Sequence, residues 1–146
     1  MRAVVTRVKS ASVTIDGRMN GSIGKGYLVL LGVGADDGES DAVRLAEKIV
    51  NLRVFRDEND KMNLDIARVG GEILVISQFT LYADTSSRRP GFTGAARPDK
   101  AAPLYELFMR TLTEKGVHVE HGEFGADMDV ESINQGPVTI IFDTRG

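Results

Sequence analysis

The chain contains no cysteine. That excludes disulfides, thiolate metal sites and a cysteine nucleophile, although it fixes no redox compartment. Histidine is nearly absent as well: there are two, His118 and His121, in Val117-His118-Val119-Glu120-His121. On a strand His118 and Glu120 share one face while His121 points to the other, which breaks a three-ligand metal site, and no metal is expected. Phosphate-loop, GxSxG and HExxH patterns are missing. Gly32-Val33-Gly34 is too short to be a dinucleotide fingerprint, so no cofactor is expected. No apolar run approaches the length of a membrane span. The first residues, Met1-Arg2-Ala3-Val4-Val5-Thr6-Arg7-Val8, lack the apolar stretch of a signal peptide and read as a strand. The expected location is the cytoplasm, away from membranes. Excess positive charge is also absent, with a net charge of −3 and a pI near 5.4. Any contact with nucleic acid therefore has to be local.

What is present suits one globular domain over residues 1–146, with 42 % apolar and 27 % charged residues. Residues 3–8 and 11–15 read as strands, Asp16-Gly17 as a hairpin turn and Met19–Ile23 as the return strand. The apolar run 27–33 predicts a central strand buried on both faces. Ala42, Leu45, Ala46, Ile49 and Leu52 make the stripe of a helix over about 40–52, capped by Asp37 or Ser40. A short strand at Val54-Phe55 and a turn at 57–60 precede a buried strand over 72–79. Residues 83–97 form a long Gly/Pro/Ser/Arg loop. A second helix runs from Asp99 or Pro103 to Lys115, and three strands follow at 117–123, 128–134 and 138–142. Short turns separate most strands, so the expected fold is α+β. It has a mostly antiparallel, curved or barrel-like sheet carrying two packed helices.

Three segments stand out. Gly136-Pro137 lies between the last two strands. Proline is a poor strand interior, and X-Pro bonds are where a cis peptide is accessible. A tight turn is the plain reading, and two rigidly aimed carbonyls the functional one. Ser77-Gln78-Phe79-Thr80-Leu81 closes a buried strand beside the long loop, where backbone N–H groups of Phe79 and Thr80 can face an oxyanion. No histidine or carboxylate lies nearby in sequence to activate Thr80 as a nucleophile, and a plain strand end is the alternative. Arg88 and Arg89, continuing to Arg97 and Lys100, are interleaved with Pro90, Gly91 and Phe92, as either a local RNA contact or a solvated loop.

Together, Ser77–Leu81 and Asn134-Gln135-Gly136-Pro137-Val138-Thr139 resemble the signature pair of the D-aminoacyl-tRNA deacylases. Thr6-Arg7-Val8 with Ala11-Ser12-Val13, Gly26–Gly32, Lys61-Met62-Asn63-Leu64, Arg89-Pro90 with Phe92, and Phe124–Met128 extend the likeness over the chain in family order. The resemblance implies hydrolysis of the ester between a D-amino acid, or glycine, and the terminal adenosine of tRNA. It implies a homodimer in which a cis Gly136-Pro137 of one subunit reaches into the other's site, braced by Arg7, and excludes L side chains. Phe79 and Thr80 would supply oxyanion donors. Ser77 and Gln78 would shape the pocket, with Phe124, Met128 and Ala102 lining it, and Arg88, Arg89, Arg97 and Lys100 would meet the acceptor end. Relatives often carry a Lys-Gly pair before the Arg-Pro, where this chain has Ser87-Arg88. Two rival readings remain: a threonine-dependent small-ester hydrolase, and a tRNA-end binding module without turnover.

Overall fold

A single alternating run forms strand β1 (Arg2–Ile15) in the computed structural model, which describes residues 1–146. Two strands are predicted over this stretch, and they join through Lys9-Ser10. There the register against the neighbouring strand slips by one, so that Val8, Ala11 and Val13 all turn inward. Asp16 and Gly17, with φ of 50° and 76°, make the tight turn into β2 (Arg18–Ile23). Strand β3 (Gly26–Gly32) pairs with the first half of β1 and is buried along nearly its whole length.

The sheet is mostly antiparallel, as predicted, but two pairs beyond β3 are parallel and make it mixed. Helix α1 (Glu39–Val50) and the small hairpin β4 (Phe55–Arg56) and β5 (Met62–Leu64) lead to β6 (Glu72–Ser77), parallel to β3. Helix α2 (Pro98–Glu114) then leads to β7 (His118–His121), parallel to β6. A helical crossover returns the chain to the same end of the sheet, and so makes neighbours parallel. The sheet curls until β2 and β7 meet, where Asn20 Nδ2 donates to His121 O at 2.7 Å. The result is an α+β fold around a nearly closed, barrel-like mixed sheet. No helix is long and apolar enough to cross a membrane.

The last strand, β8 (Asp129–Asp143), runs along the free edge of β1 from Thr14↔Asp129 to Arg2↔Asp143. Two strands and a turn are predicted here, but one strand carries a local excursion. Thr6 pairs with Thr139 and Val8 with Asn134, leaving residues 135–138 opposite Arg7 alone. Pro137 therefore sits where no ladder bond is required of it. The Gly136-Pro137 peptide is cis, and both residues are exposed.

The main core lies between the sheet and the two helices. Val5, Tyr27, Val29, Ile73 and Val75 pack there against Leu45, Ile49, Phe108 and Leu112. Each such side chain contributes about 1.5–3 kcal/mol by leaving water. A smaller cluster of Val8, Val13, Ile23, Leu74 and Ile76 fills the curl on the opposite face. Neither predicted cap of α1 is used. Gly38 is the N-cap, and the Asp41 carboxylate accepts its N–H at 2.9 Å. Asp37 instead accepts Gly34 N–H at 2.6 Å and pairs with the Met1 ammonium at 2.7 Å. Helix α2 starts earlier than predicted, with Pro98 at its first position, where a missing N–H is harmless.

Candidate active site

At the end of β6 the chain leaves the sheet. Gln78 N–H donates to Leu31 O at 2.7 Å, and Gln78 (φ −142°, ψ 77°) breaks the extended backbone. A 3₁₀ turn, Phe79–Tyr82, follows, where a continuation of the strand to Phe79 is predicted. The first N–H groups of such a turn have no partner within it, and those of Phe79 and Thr80 find no acceptor elsewhere in the chain. Gln78 Nε2 donates to Thr80 Oγ1 at 2.5 Å. The Phe79 ring is 56 % exposed and meets Phe92 edge-on at 5.1 Å.

Beside this turn opens a cleft of about 610 Å³. Ser77, Gln78 and Phe79 form one wall; Phe92 and Arg97, from the long loop, another; Phe124 and Met128 close it from the segment before β8. Phe124 leans on Tyr105 at 6.0 Å, and Tyr105 is fixed by its hydroxyl bond to Val75 O at 3.0 Å. Burial pushes the Tyr105 phenol far above its ordinary pKa, so it stays neutral and structural. Ala102 does not line the cleft; its neighbour Ala101 does.

The predicted basic group divides. Arg97 lines the cleft. Lys100 Nζ donates to Ala35 O at 2.6 Å and so is committed to the fold. Arg88 and Arg89 are exposed at the tip of a loop cinched by reciprocal Asp84–Gly91 backbone bonds of 2.7 and 3.0 Å, outside the cleft wall.

Arg7 is buried beside the tilted ring pair Tyr27–Phe55 and donates to Val54 O at 2.5 Å, with no bond to Gly136 or Pro137. Its Nε and the Tyr27 hydroxyl have no partner. Burial and the nearby Arg56 charge lower the Arg7 pKa, while burial raises that of Tyr27. Gly136 and Pro137 do not reach their own cleft. They stand opposite Arg7, five residues along β1 from Arg2, whose β3 partner Gly32 abuts the Gln78 carbonyl. That is about 17 Å along the strand.

Two residues of this region escaped the sequence reading, Arg2 and Tyr82. Arg2 Nη1 donates to Leu81 O at 2.9 Å, and its guanidinium lies 4.4 Å from the Tyr82 ring centre. The available signal was Gly32-Val33-Gly34: its glycines leave room for the Tyr82 ring.

The family model described as D-Tyr-tRNA(Tyr) deacylase matches residues 4–143. The chain belongs to that family. The D-aminoacyl-tRNA deacylase of Koribacter versatilis is 56 % identical over 146 residues, covering 99 % of this chain and 98 % of its own. That of Clostridioides difficile is 57 % identical over 145 residues, covering 99 % and 97 %. Among solved structures, one named c-Myc DNA Unwinding Element Binding Protein has a TM-score of 0.94 at 38 % identity, over 99 % of both chains. A second, described as a probable eukaryotic D-amino acid tRNA deacylase, has a TM-score of 0.86 at 15 % identity over 97 % of both, which shows the shared fold. Within the deacylase family match fall both the turn at Phe79 and the Gly136-Pro137 excursion.

Proposed function

We propose that this protein is a hydrolase that frees tRNA from D-amino acids, and from wrongly attached glycine, by cleaving the aminoacyl ester at the terminal adenosine. The observation that carries the reading is the pair of unpartnered N–H groups at Phe79 and Thr80, beside an apolar cleft in a chain of the deacylase family. Water attacks the ester carbonyl carbon. The oxyanion that forms is held by the two N–H groups, and the carbon–oxygen bond to the ribose then breaks, with a proton passing to the departing ribose oxygen. Thr80 Oγ is bonded to the Gln78 amide, which takes up no proton. The family resemblance assigns help in activating the water to the neighbouring ribose 2′-hydroxyl, and leaves the protein to position it.

Chirality is read by Gly136-Pro137 of a second copy, since a chain's own dipeptide lies far from its own cleft. Backbone carbonyls facing the α-carbon leave space for hydrogen and collide with an L side chain. Glycine has nothing to exclude. Such a filter ignores side-chain identity and discriminates by more than the roughly 1–3 kcal/mol available to a small apolar pocket. Arg97 at the cleft and Arg88 and Arg89 beside it meet the few phosphates of the acceptor end, which an acidic protein can accommodate. Phe124 and Met128 receive the adenosine.

One structural relative's name, with its DNA element, favours a second reading: binding of nucleic acid without turnover. Deacylation of matched D- and L-tyrosyl-tRNA separates the two. The deacylase reading expects release of the D-ester alone, with Thr80→Ala keeping at least about a tenth of the rate, a loss of one hydrogen-bonding group. Release from neither ester points to the binding module. Equal release from both removes the backbone filter.

A further inference from the structure

The turn that carries the two N–H groups is short and weakly self-supported. It spans four residues, Phe79–Tyr82, none of them buried and with no side-chain cap. Short 3₁₀ segments are held by their surroundings more than by their own bonds. At the entry, Gln78 N–H is tied to Leu31 O. At the exit, the side chain that reaches the turn from another strand is Arg2, which touches it twice. Its Nη1 donates to Leu81 O at 2.9 Å, and its plane covers the Tyr82 ring at 4.4 Å.

The other edge of the same guanidinium is anchored. Arg2 Nε donates to Asp143 Oδ2 at 2.9 Å, and Asp143 is its partner across the β1–β8 ladder. Tyr82 is locked from below. A Cβ at Gly34 would come within 2.9 Å of its Cζ and hydroxyl, and one at Gly32 within 3.3 Å of Cδ2. The ring therefore lies directly on the end of β3, clamped between bare backbone and a cation. A guanidinium can bridge a carboxylate and a carbonyl while stacking on a ring; an ammonium cannot do all three.

We infer that Arg2 is a positioning residue: with Tyr82 as its platform, it fixes the turn and so sets the direction of the Phe79 and Thr80 N–H groups beside the cleft. Its catalytic consequence rests on the deacylase reading above, whereas its effect on the turn does not. Arg2 touches no reacting atom, and misplacing donors costs rate more than binding.

The test uses Arg2→Gln, Arg2→Lys, Asp143→Asn, Tyr82→Phe and Tyr82→Ala in the full chain, with D-tyrosyl-tRNA as substrate. Arg2→Gln and Tyr82→Ala are expected to lower kcat about 10–100-fold while KM moves less than about threefold. Arg2→Lys recovers little of the loss, Tyr82→Phe stays near the parent, and Asp143→Asn falls between. In amide spectra the Phe79 and Thr80 signals move or broaden in Arg2→Gln. Unmoved amides overturn the inference, as does a rise in KM at unchanged kcat, which would make Arg2 a phosphate contact. Should Arg2→Gln fail to fold, Arg2→Lys and Asp143→Asn are judged by the same two readouts. If the parent protein releases no D-tyrosine, the deacylase reading falls, and the amide signals still decide whether Arg2 holds the turn.

Discussion

At Gly122 a hydrogen occupies a place that no side chain can take. A Cβ there would run into the Met128 sulfur, and the residue's N–H is already spent on Val75 O at 3.2 Å. Gly122→Ala should therefore push Met128 into the space beside Phe124. Steady-state kinetics on D-aminoacyl-tRNA should show KM rising about tenfold, equivalent to ~1.4 kcal/mol. An unchanged KM with only a lower melting temperature would assign Gly122 to packing alone. Residues at this scale were legible where the chemistry is local or the family likeness direct. Ser77 to Phe79, Phe124, Met128 and Arg97 all meet at one cleft. Ala102 is expected at the pocket, but Ala101 lines the cleft in its place; successive helical positions differ by ~100° in direction, so the facing alanine depends on how α2 sits. Arg2 and Tyr82 were invisible because 80 positions separate them and only the fold makes them neighbours.

Among the elements, α1 carries a pH-sensitive start. Burial alone would raise the Asp41 carboxyl pKa, but the Gly38 N–H, the Thr144 hydroxyl and the charges of Arg145 and the Met1 ammonium more than reverse it, to about 2. The unfolded value is about 3.9. The stabilisation is therefore complete above that value and fades as pH falls toward the folded one. Urea unfolding of the parent and Asp41→Asn should differ most at neutral pH, and the gap should narrow below about pH 4. A gap constant from pH 7 to pH 3 would show that the charge of Asp41 is irrelevant. Arg145→Ala, which removes the 3.0 Å contact to Asp41, should shrink the same gap. The elements themselves were largely readable from periodicity: the stripe of α1, the apolar run of β3, the hairpin at Asp16-Gly17. Most strand pairs are antiparallel, as the short turns lead one to expect; β3–β6 and β6–β7 are the parallel exceptions, each joined through a helical crossover. Proline at 137 was read as a break because β8 steps out of the ladder opposite Arg7 and then resumes it, a behaviour set by the partner strand.

For the whole molecule, β8 leaves Ile133 and Ile141 60 % and 76 % exposed next to the Gly136-Pro137 excursion. Apolar side chains on an outer strand suit a self-complementary contact. Sedimentation of the parent should give a dimer, and Ile133→Asp with Ile141→Asp a monomer without deacylase activity; an active monomer would remove the second copy from the mechanism. Mixing sharpens the point. Thr80→Pro deletes one oxyanion donor, and Gly136→Val alters the dipeptide at a site where a Cβ meets nothing within 4 Å of its own chain. Neither should be active alone. Equal mixtures that exchange subunits should recover about a quarter of the parent activity, from one repaired cleft in each heterodimer. Periodicity registers the faces of elements and not which copy covers them; the expectation of two cooperating chains comes from the family resemblance alone, and these mixtures test it. The long β1–β8 ladder has a further consequence, in the timing of synthesis. It joins residues as far apart as Arg2 and Asp143, 141 positions along the chain, and pairing over such separations is slow. Until residues 129–143 emerge from the ribosome, β1 keeps a bare edge and the core lacks Val138, Ile140 and Phe142. A nascent chain in that state offers neighbours and chaperones an open strand. The last strand made thus completes the core and withdraws that edge in one step.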